Sequence, residues 1–312
     1  TPTYTAVAAD AGNTVTLTMT VTSTNTCAPQ TATATYTIKV DSIPVATAGG
    51  STTICVDSSA TVSGATAENG TISWTENGAG SLTGATTLTP TYTAVAADAG
   101  NTVTLTMTVS STNTCAPRTA TATYTIKVDS IPVATAGGRD TICVNGSATV
   151  TGATAENGTI SWTENGAGSL SNETTITPTY TAAAGDAGNT VTLTMTVTSN
   201  NSCAPQTATA TYTIKVDSLP VATAGGRDTI CVNGSATVSG ATAENGTISW
   251  SENGAGSLTD GTTLTPTYTA ATGDAGNTVT LTMTVTSNNH CAPQTDTAFY
   301  TIKVDSIPVA TA

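Results

Sequence analysis

The chain has 312 residues, only 9% of them charged, and a formal net charge of −13 set against seven Lys and Arg. That balance argues against nucleic acid or an anionic membrane surface as partner, and no apolar run approaches the ~20 residues of a membrane-spanning helix. Thr and Ser stand where charges usually stand, and aromatic residues make up 4% of the chain, so each core is thin.

One stretch organises the sequence. Residues 98–128, DAGNTVTLTMTVSSTNTCAPRTATATYTIKV, have counterparts that begin at Asp10, Asp186 and Asp274, a constant step of 98 − 10 = 88 residues. A fixed period of this size means tandem modules. The expected organisation is the C-terminal half of a module at 1–43, full modules at 44–131, 132–219 and 220–307, and the start of another at 308–312. Residues 1–41 on their own are expected to expose Val15, Leu17, Met19 and Tyr36 on an uncovered face, so the chain reads as a window on a longer array.

In chain order, the joint SIPVATAGG at 42–50 contains Pro44, which suits an edge or a linker, and Gly49-Gly50, which permits a change of direction. TTICV at 52–56 is a short strand. The turn Asp57-Ser58, Asn145-Gly146 and Asn233-Gly234 in later copies, reads as a hairpin, as do Asn69-Gly70 and Asn77-Gly78. Ala60, Val62 and Gly64 alternate with polar residues, and Ile72 and Trp74 share a face. Leu88 and Tyr92 fall on a strand that holds Pro90, hence an expected edge. Val103, Leu105, Met107 and Val109 alternate strictly with Thr or Ser, as do Ala120, Ala122, Tyr124, Ile126 and Val128 in the last strand, with Lys127 on the polar face. Seven or eight short strands with frequent turns predict an all-β antiparallel sandwich.

Seven cysteines recur in two registers, Cys27, Cys115, Cys203 and Cys291, and Cys55, Cys143 and Cys231. No C-x-x-C pair occurs and there is one histidine, so zinc is not expected. Disulfides in an oxidising compartment are. Spacing leaves two pairings open. One joins Cys55–Cys115, Cys143–Cys203 and Cys231–Cys291 within modules. The other joins Cys27–Cys55, Cys115–Cys143 and Cys203–Cys231 across the joint. Loop entropy is similar for both.

TICVDSSATVSGA, SWTENGAGSL, TPTYTAVAADAGNTVTLTMTV and CAPRTATATYTIKV resemble the PKD-like, Ig-like repeats of giant bacterial cell-surface proteins, cargo of the type IX secretion system that includes gliding-motility adhesins. The resemblance covers every module. It implies tandem immunoglobulin-like β-sandwich domains in an extended rod, located extracellularly or on the cell surface, and it implies the within-module disulfides.

Candidate chemistry is sparse. His290 is replaced by Thr26, Thr114 and Ser202 in the other copies and reads as loop filler. No repeated nucleophile, base and acid constellation exists, so an enzyme is not expected. Glu68 and Glu76 read as solvated turn residues. No cofactor is expected. Structural calcium at Asp129, Asp140 and Asp228 near the joints is the alternative, although no dense D-x-D motif supplies the six to eight oxygens it needs. The Thr rows read as a charge-free β surface rather than an ice-binding plane, since sandwich strands twist. Asn-x-Ser/Thr at Asn69, Asn145, Asn157, Asn172, Asn200, Asn233 and Asn245 falls mostly on turns. Asp-Ser/Thr followed by an aliphatic recurs at Ser42, Ser130, Ser218, Ser306, Thr141 and Thr229, and resembles the O-glycosylation motif of bacteria with type IX systems, which makes these six residues candidate glycan sites.

The reading is a structural stalk or spacer of a secreted or cell-surface adhesin or fibre, its partners being neighbouring modules of the same chain. The alternatives are a repeated low-affinity glycan- or protein-binding module working by avidity, and a filament or sheath built by lateral copies of the chain.

Overall fold

The computed structural model describes residues 1–26, 30–115 and 118–308. Two strands, β1 (Thr14–Thr22) and β2 (Thr31–Lys39), form an antiparallel pair. Nine strands follow in the repeat 44–131: β3 (Val45–Thr47), β4 (Ser51–Cys55), β5 (Ser59–Thr61), β6 (Thr66–Glu68), β7 (Gly70–Glu76), β8 (Ser81–Thr83), β9 (Thr91–Thr93), β10 (Thr102–Ser111) and β11 (Thr119–Asp129). The same nine recur in each of the next two repeats.

One sheet has the order β4-β11-β10-β7 and the other β5-β9-β8, with β3 paired to β6. All pairings are antiparallel except β4 with β11, where Asp129 lies opposite Cys55. This is an immunoglobulin-like β-sandwich. The chain groups into two units, residues 1–131 with Ser199–Gln206, and Pro132–Thr198 with the remainder from Thr207.

Period-two alternation does what the sequence predicts. Val103, Leu105, Met107 and Val109 on β10 are buried, as are Tyr124, Ile126 and Val128 on β11, and Lys127 faces solvent. Trp74 on β7 is buried in the same cluster, with its indole Nε1 donating to the Thr87 carbonyl at 2.9 Å. Trp162 and Trp250 repeat this contact. The exposed Thr and Ser residues pair across strands: Ser59 with Thr93, and Thr61 with Thr91, each hydroxyl pair 2.8 Å apart. Cross-strand hydroxyl pairs stabilise a sheet surface without charge. On the isolated pair β1–β2 the equivalent apolar face is open, with Met19 and Tyr36 exposed.

Three local expectations are corrected. The turns at Asp57-Ser58, Asn69-Gly70 and Asn77-Gly78 are not hairpins; each carries the chain from one sheet to another. Asp57 and Asn69 adopt φ of 60°, as a sharp reversal requires, but that local demand is the same whether the next strand returns to its neighbour or crosses the sandwich. Asn77 instead uses its side chain, with Oδ1 accepting from Thr104 N at 2.7 Å. The strand after Pro90 is no edge: β9 is the centre of its sheet, Pro90 precedes it, and the Pro90 carbonyl accepts from Val62 N at 2.9 Å. Glu76 is half-buried rather than solvated, because β7 continues through it and alternation aligns it with Trp74.

A polar unit that sequence reading missed closes each core. Tyr92 on β9 is fully buried, and its hydroxyl donates to Asp98 Oδ2 at 2.7 Å. Asp98 sits on a single 3-10 turn, Ala96–Asp98, and is itself buried. Its Oδ1 accepts from Ala79 N at 2.7 Å and its Oδ2 from Val95 N at 3.0 Å, while Gly80 N donates to the Tyr92 hydroxyl at 2.8 Å. Burial works against ionisation of Asp98, but the donors from Ala79, Val95 and Tyr92 outweigh it and hold its pKa below the ordinary value. Burial first, then the bond to Asp98, pushes Tyr92 up to about 12. Tyr180 with Asp186 and Tyr268 with Asp274 repeat the unit.

Close packing around this unit explains one glycine. A Cβ on Gly166 would overlap the Tyr180 hydroxyl and meet Asp186 Oδ1 at 2.9 Å, whereas one on Gly137 would touch nothing. Gly166→Ala is expected to destabilise its repeat by about 1–3 kcal/mol and Gly137→Ala to be near neutral, read from hydrogen exchange of the amides of Thr190–Ser199. Trp162→Ala should cost about 3–5 kcal/mol in the same measurement.

The same units set the pH range. For Asp98, Asp186 and Asp274 the folded pKa is depressed, so the unfolded chain binds more protons: their stabilisation is present above the unfolded value of 3.8 and is lost as pH falls through the folded one. For the three tyrosines the folded pKa is raised from 10.0 to about 12, so their stabilisation is complete below 10.0 and is lost as pH rises towards 12. Thermal midpoints measured by circular dichroism should hold a plateau between these windows and fall at both ends.

Candidate functional site

The joint after the last strand of each repeat gathers most of the remaining chemistry. Alternation on β11 places Lys127 and Asp129 on one side of the strand, and Lys127 Nζ lies 2.9 Å from Asp129 Oδ1. In unit 1 the segment Ser199–Gln206 completes the arrangement. Ser202 N donates to Asp129 Oδ2 at 3.0 Å, and Asn201 Nδ2 donates to the Ser130 carbonyl at 3.0 Å. Asn201 Oδ1 accepts from Cys203 N at 2.8 Å and from Ser199 Oγ at 2.7 Å, which shapes the loop so that it presents Cys203. Cys203 forms a disulfide with Cys55, the residue opposite Asp129 in the parallel pairing.

Unit 2 repeats this with one residue changed. Lys215 pairs with Asp217 at 2.9 Å, His290 N donates to Asp217 Oδ2 at 3.1 Å, Asn289 Nδ2 donates to the Ser218 carbonyl at 3.0 Å, and Cys291 is bonded to Cys143. The His290 ring is exposed, with Nδ1 3.7 Å from Asp217 Oδ2. Asp129 and Asp217 are buried, and both carboxyl groups are held below their ordinary pKa. The lysine bond is the largest cause in each, assisted by the loop N–H.

The disulfides are therefore neither of the sets considered from spacing. Cys55–Cys115, Cys143–Cys203 and Cys231–Cys291 do not form, and neither do Cys115–Cys143 and Cys203–Cys231. The bonds are Cys55–Cys203 and Cys143–Cys291, each spanning 148 residues, and Cys115 and Cys231 are free thiols. The reason is topological. Cys55 lies beside Asp129, where β11 ends, while Cys115 lies in the loop where β11 is about to begin. The 11 residues of β11 separate the two poles by roughly 30 Å, and a disulfide needs Cα atoms within about 7 Å. Cys27 lies outside the described residues.

Cys115 occupies the equivalent loop in unit 1. Asn113 Nδ2 donates to the Ser42 carbonyl at 2.9 Å, Thr114 N and Oγ1 donate to Asp41 Oδ2 at 3.1 and 2.7 Å, and Cys115 Sγ lies 3.5 Å from the Asp41 carbonyl. The polar docking is complete there, without a disulfide.

The other candidate residues lie apart from one another. Asp140 and Asp228 accept from their own following amides, Thr141 N and Thr229 N, each at 2.7 Å. Among the described residues no group of three or more His, Cys, Asp or Glu side chains converges as a metal site. Ser42, Ser130, Ser218 and Thr141 are half-buried, and Ser306 and Thr229 are exposed. The recurrence of Asp-Ser has a role of its own: the Asp side chain and the Ser carbonyl are the two acceptors that hold the loop. The sequence signal for this site was the cysteine register read together with Asn two residues before each loop cysteine.

No protein-family model and no curated protein matches the sequence. Among solved structures, the chain is similar to the I-band fragment I67–I69 of titin at 12% identity, covering 86% of this chain and 99% of that one, with a TM-score of 0.46. It is similar to mouse protocadherin-24 EC1–3 at 12% identity, covering 81% and 96%, with a TM-score of 0.45. Drosophila N-cadherin EC1–4 matches at 12% identity over 94% and 84%, with a TM-score of 0.41. The sandwich assignment rests on the strand pairing, not on these overlaps.

Non-reducing peptide mapping is expected to recover Cys55 joined to Cys203 and Cys143 joined to Cys291, with Cys115 and Cys231 alkylated as thiols. Recovery of Cys55 joined to Cys115 would contradict the topology.

Proposed function

We propose that this chain is part of the structural stalk of an extracellular adhesin or fibre, in which the repeats serve as spacers and the joints are covalently reinforced. The observation that carries the reading is the pair of overlapping disulfides. The span 55–203 contains Cys143, and the span 143–291 contains Cys203. Each bond joins residues of consecutive repeats, and neither closes a single one. In the chain-entropy model a closed segment of this length stabilises the fold by about 5 kcal/mol when formed alone, and the bonds point to an oxidising, extracellular setting. The resemblance to type IX secretion cargo and gliding-motility adhesins fits this setting. No catalytic role is part of the reading. O-linked glycan at the Asp-Ser/Thr motifs belongs to it, with Ser306 and Thr229 as the accessible acceptors.

Such a stalk must limit its own extension under load. Pulled from its ends, the oxidised chain becomes taut along a short covalent route: from Thr1 to Cys55, across to Cys203, back along the chain to Cys143, across to Cys291, and on to the C-terminal end. At roughly 3.3–3.6 Å per residue, single-molecule force spectroscopy should find a full extension less than half of that reached after reduction. Equal extensions before and after reduction would reject the reinforced-joint reading.

A further inference from the structure

The repeat 220–307 departs from its copies on one outward sheet face. Phe299 is the single Phe of the chain, and the equivalent positions hold Thr35, Thr123 and Thr211. Alternation on the strand Thr295–Asp305 buries Tyr300 and Ile302 and turns Phe299 outward, where it is 57% exposed. Register sets it in a row across the sheet, with Phe299 opposite Thr282 and Thr282 opposite Ser251. The next row is Arg227, Thr301 and Thr280. Arg227 is one strand across and two residues along from Phe299, roughly 8 Å between Cα atoms.

The charge of this face is unlike that of the chain, whose net charge is −13. Arg227 is exposed, and no salt bridge among the described residues uses it. Its neighbour in sequence, Asp228, lies opposite Ile302 and so on the other side of the strand. Asp305 lies at the far end of its strand, already paired with Lys303. Around the aromatic ring and the free guanidinium the outward residues are Thr and Ser. The face also stays open when another repeat follows: in the repeat 132–219, Arg139 and Thr211 are exposed, with the repeat 220–307 next in the same unit.

We propose that Phe299 and Arg227 bind a polysaccharide that carries uronic acid residues. The apolar C–H face of one sugar ring lies on the phenyl ring, and a sugar carboxylate meets the guanidinium fork, whose planar donors match a carboxylate. The flanking rows of hydroxyls offer donors and acceptors to the remaining sugar hydroxyls. Charge selects the occupant: an unpaired cation on a face without a nearby carboxylate favours an anion, while the net negative charge of the chain repels nucleic acid. A protein partner would require a central cluster of apolar anchors, and this face has one. The inference concerns one face of one repeat and is independent of the stalk reading.

The test is isothermal titration calorimetry of the full chain with a short oligogalacturonate at low ionic strength, and with a dextran of the same length. Saturable binding at one site per chain is expected, with dextran at least fivefold weaker. Phe299→Thr restores the residue of the other copies, and it and Arg227→Ala should each weaken binding about fivefold. Arg139→Ala removes the same cation where no aromatic stands beside it and should leave binding unchanged. Thr211→Phe, with its thermal midpoint retained, should add a second site beside Arg139. Absence of saturable binding, equal affinity for dextran, no effect of Phe299→Thr, or equal losses for Arg227→Ala and Arg139→Ala would each overturn the site. A folded Thr211→Phe chain that still binds at one site would overturn the pairing of aromatic and cation as its basis.

Discussion

The parallel pairing of β4 with β11 is the constraint from which the rest of the joint follows. An antiparallel β4 would carry Cys55 to the other end of the strand. Running parallel, it ends level with Asp129 and Val128, at the pole where the chain leaves the repeat. A cysteine, a carboxylate and the free carbonyl of Ser130 are thereby brought to one place by backbone hydrogen bonds alone, before any loop docks. The Asn-x-Cys loop then adds one donor to each acceptor. The disulfide forms between sulfurs already aligned by that polar docking, and the Asp41–Ser42 joint shows the docking formed without a disulfide.

The use of charge in this chain follows the same logic. Its four lysines are Lys39, Lys127, Lys215 and Lys303, and each stands two residues before a joint aspartate. A sequence that covers its surface with hydroxyl pairs keeps its lysines for the place where a carboxylate must be held next to a neighbouring backbone. At Asp129 and Asp217 the carboxylate is buried, so the ion pair and the loop N–H act on it in a medium less polar than water and weigh more than an exposed pair would. Breaking one partner leaves the carboxylate uncompensated, which ties the fold of the strand end to the presence of the loop.

What the sequence made legible was whatever repeats with period two or period 88. The inward faces of β10 and β11 and the core position of Trp74 follow from alternation, because a one-residue slip would turn every apolar side chain to water. The sheet-crossing turns were not legible: the left-handed φ of Asp57 and Asn69 suits any sharp reversal, and the choice of sheet is made by pairings further along the chain, Ser59 with Thr93, Gly70 with Ser111 and Ser81 with Thr93. Pro90 misled for a related reason, since it stands just before β9 and supplies only its carbonyl. The buried Tyr92–Asp98 unit was hidden because Tyr92 resembles any strand aromatic and Asp98 any turn residue; their partnership is visible only when both are seen under the same core.

The cysteines show where period and topology part company. Separation in sequence ranked the two candidate sets nearly equal, because loop-closure entropy depends only on the logarithm of length. Geometry is far less forgiving, since one strand length is several times the reach of a disulfide. The information needed was already present in order: the loop cysteine precedes the last strand and the β4 cysteine ends beside that strand's last residue. Once that strand is extended, the two cysteines of one repeat are at opposite ends, and Cys55 and Cys143 are bonded instead to the loop cysteine of the following repeat. Each disulfide accordingly spans 148 residues, one period of 88 plus the within-repeat spacing of 60. Covalent reinforcement of the joints is in this sense a consequence of the strand order, with the individual repeat held by its hydrophobic core and its buried Tyr–Asp unit alone.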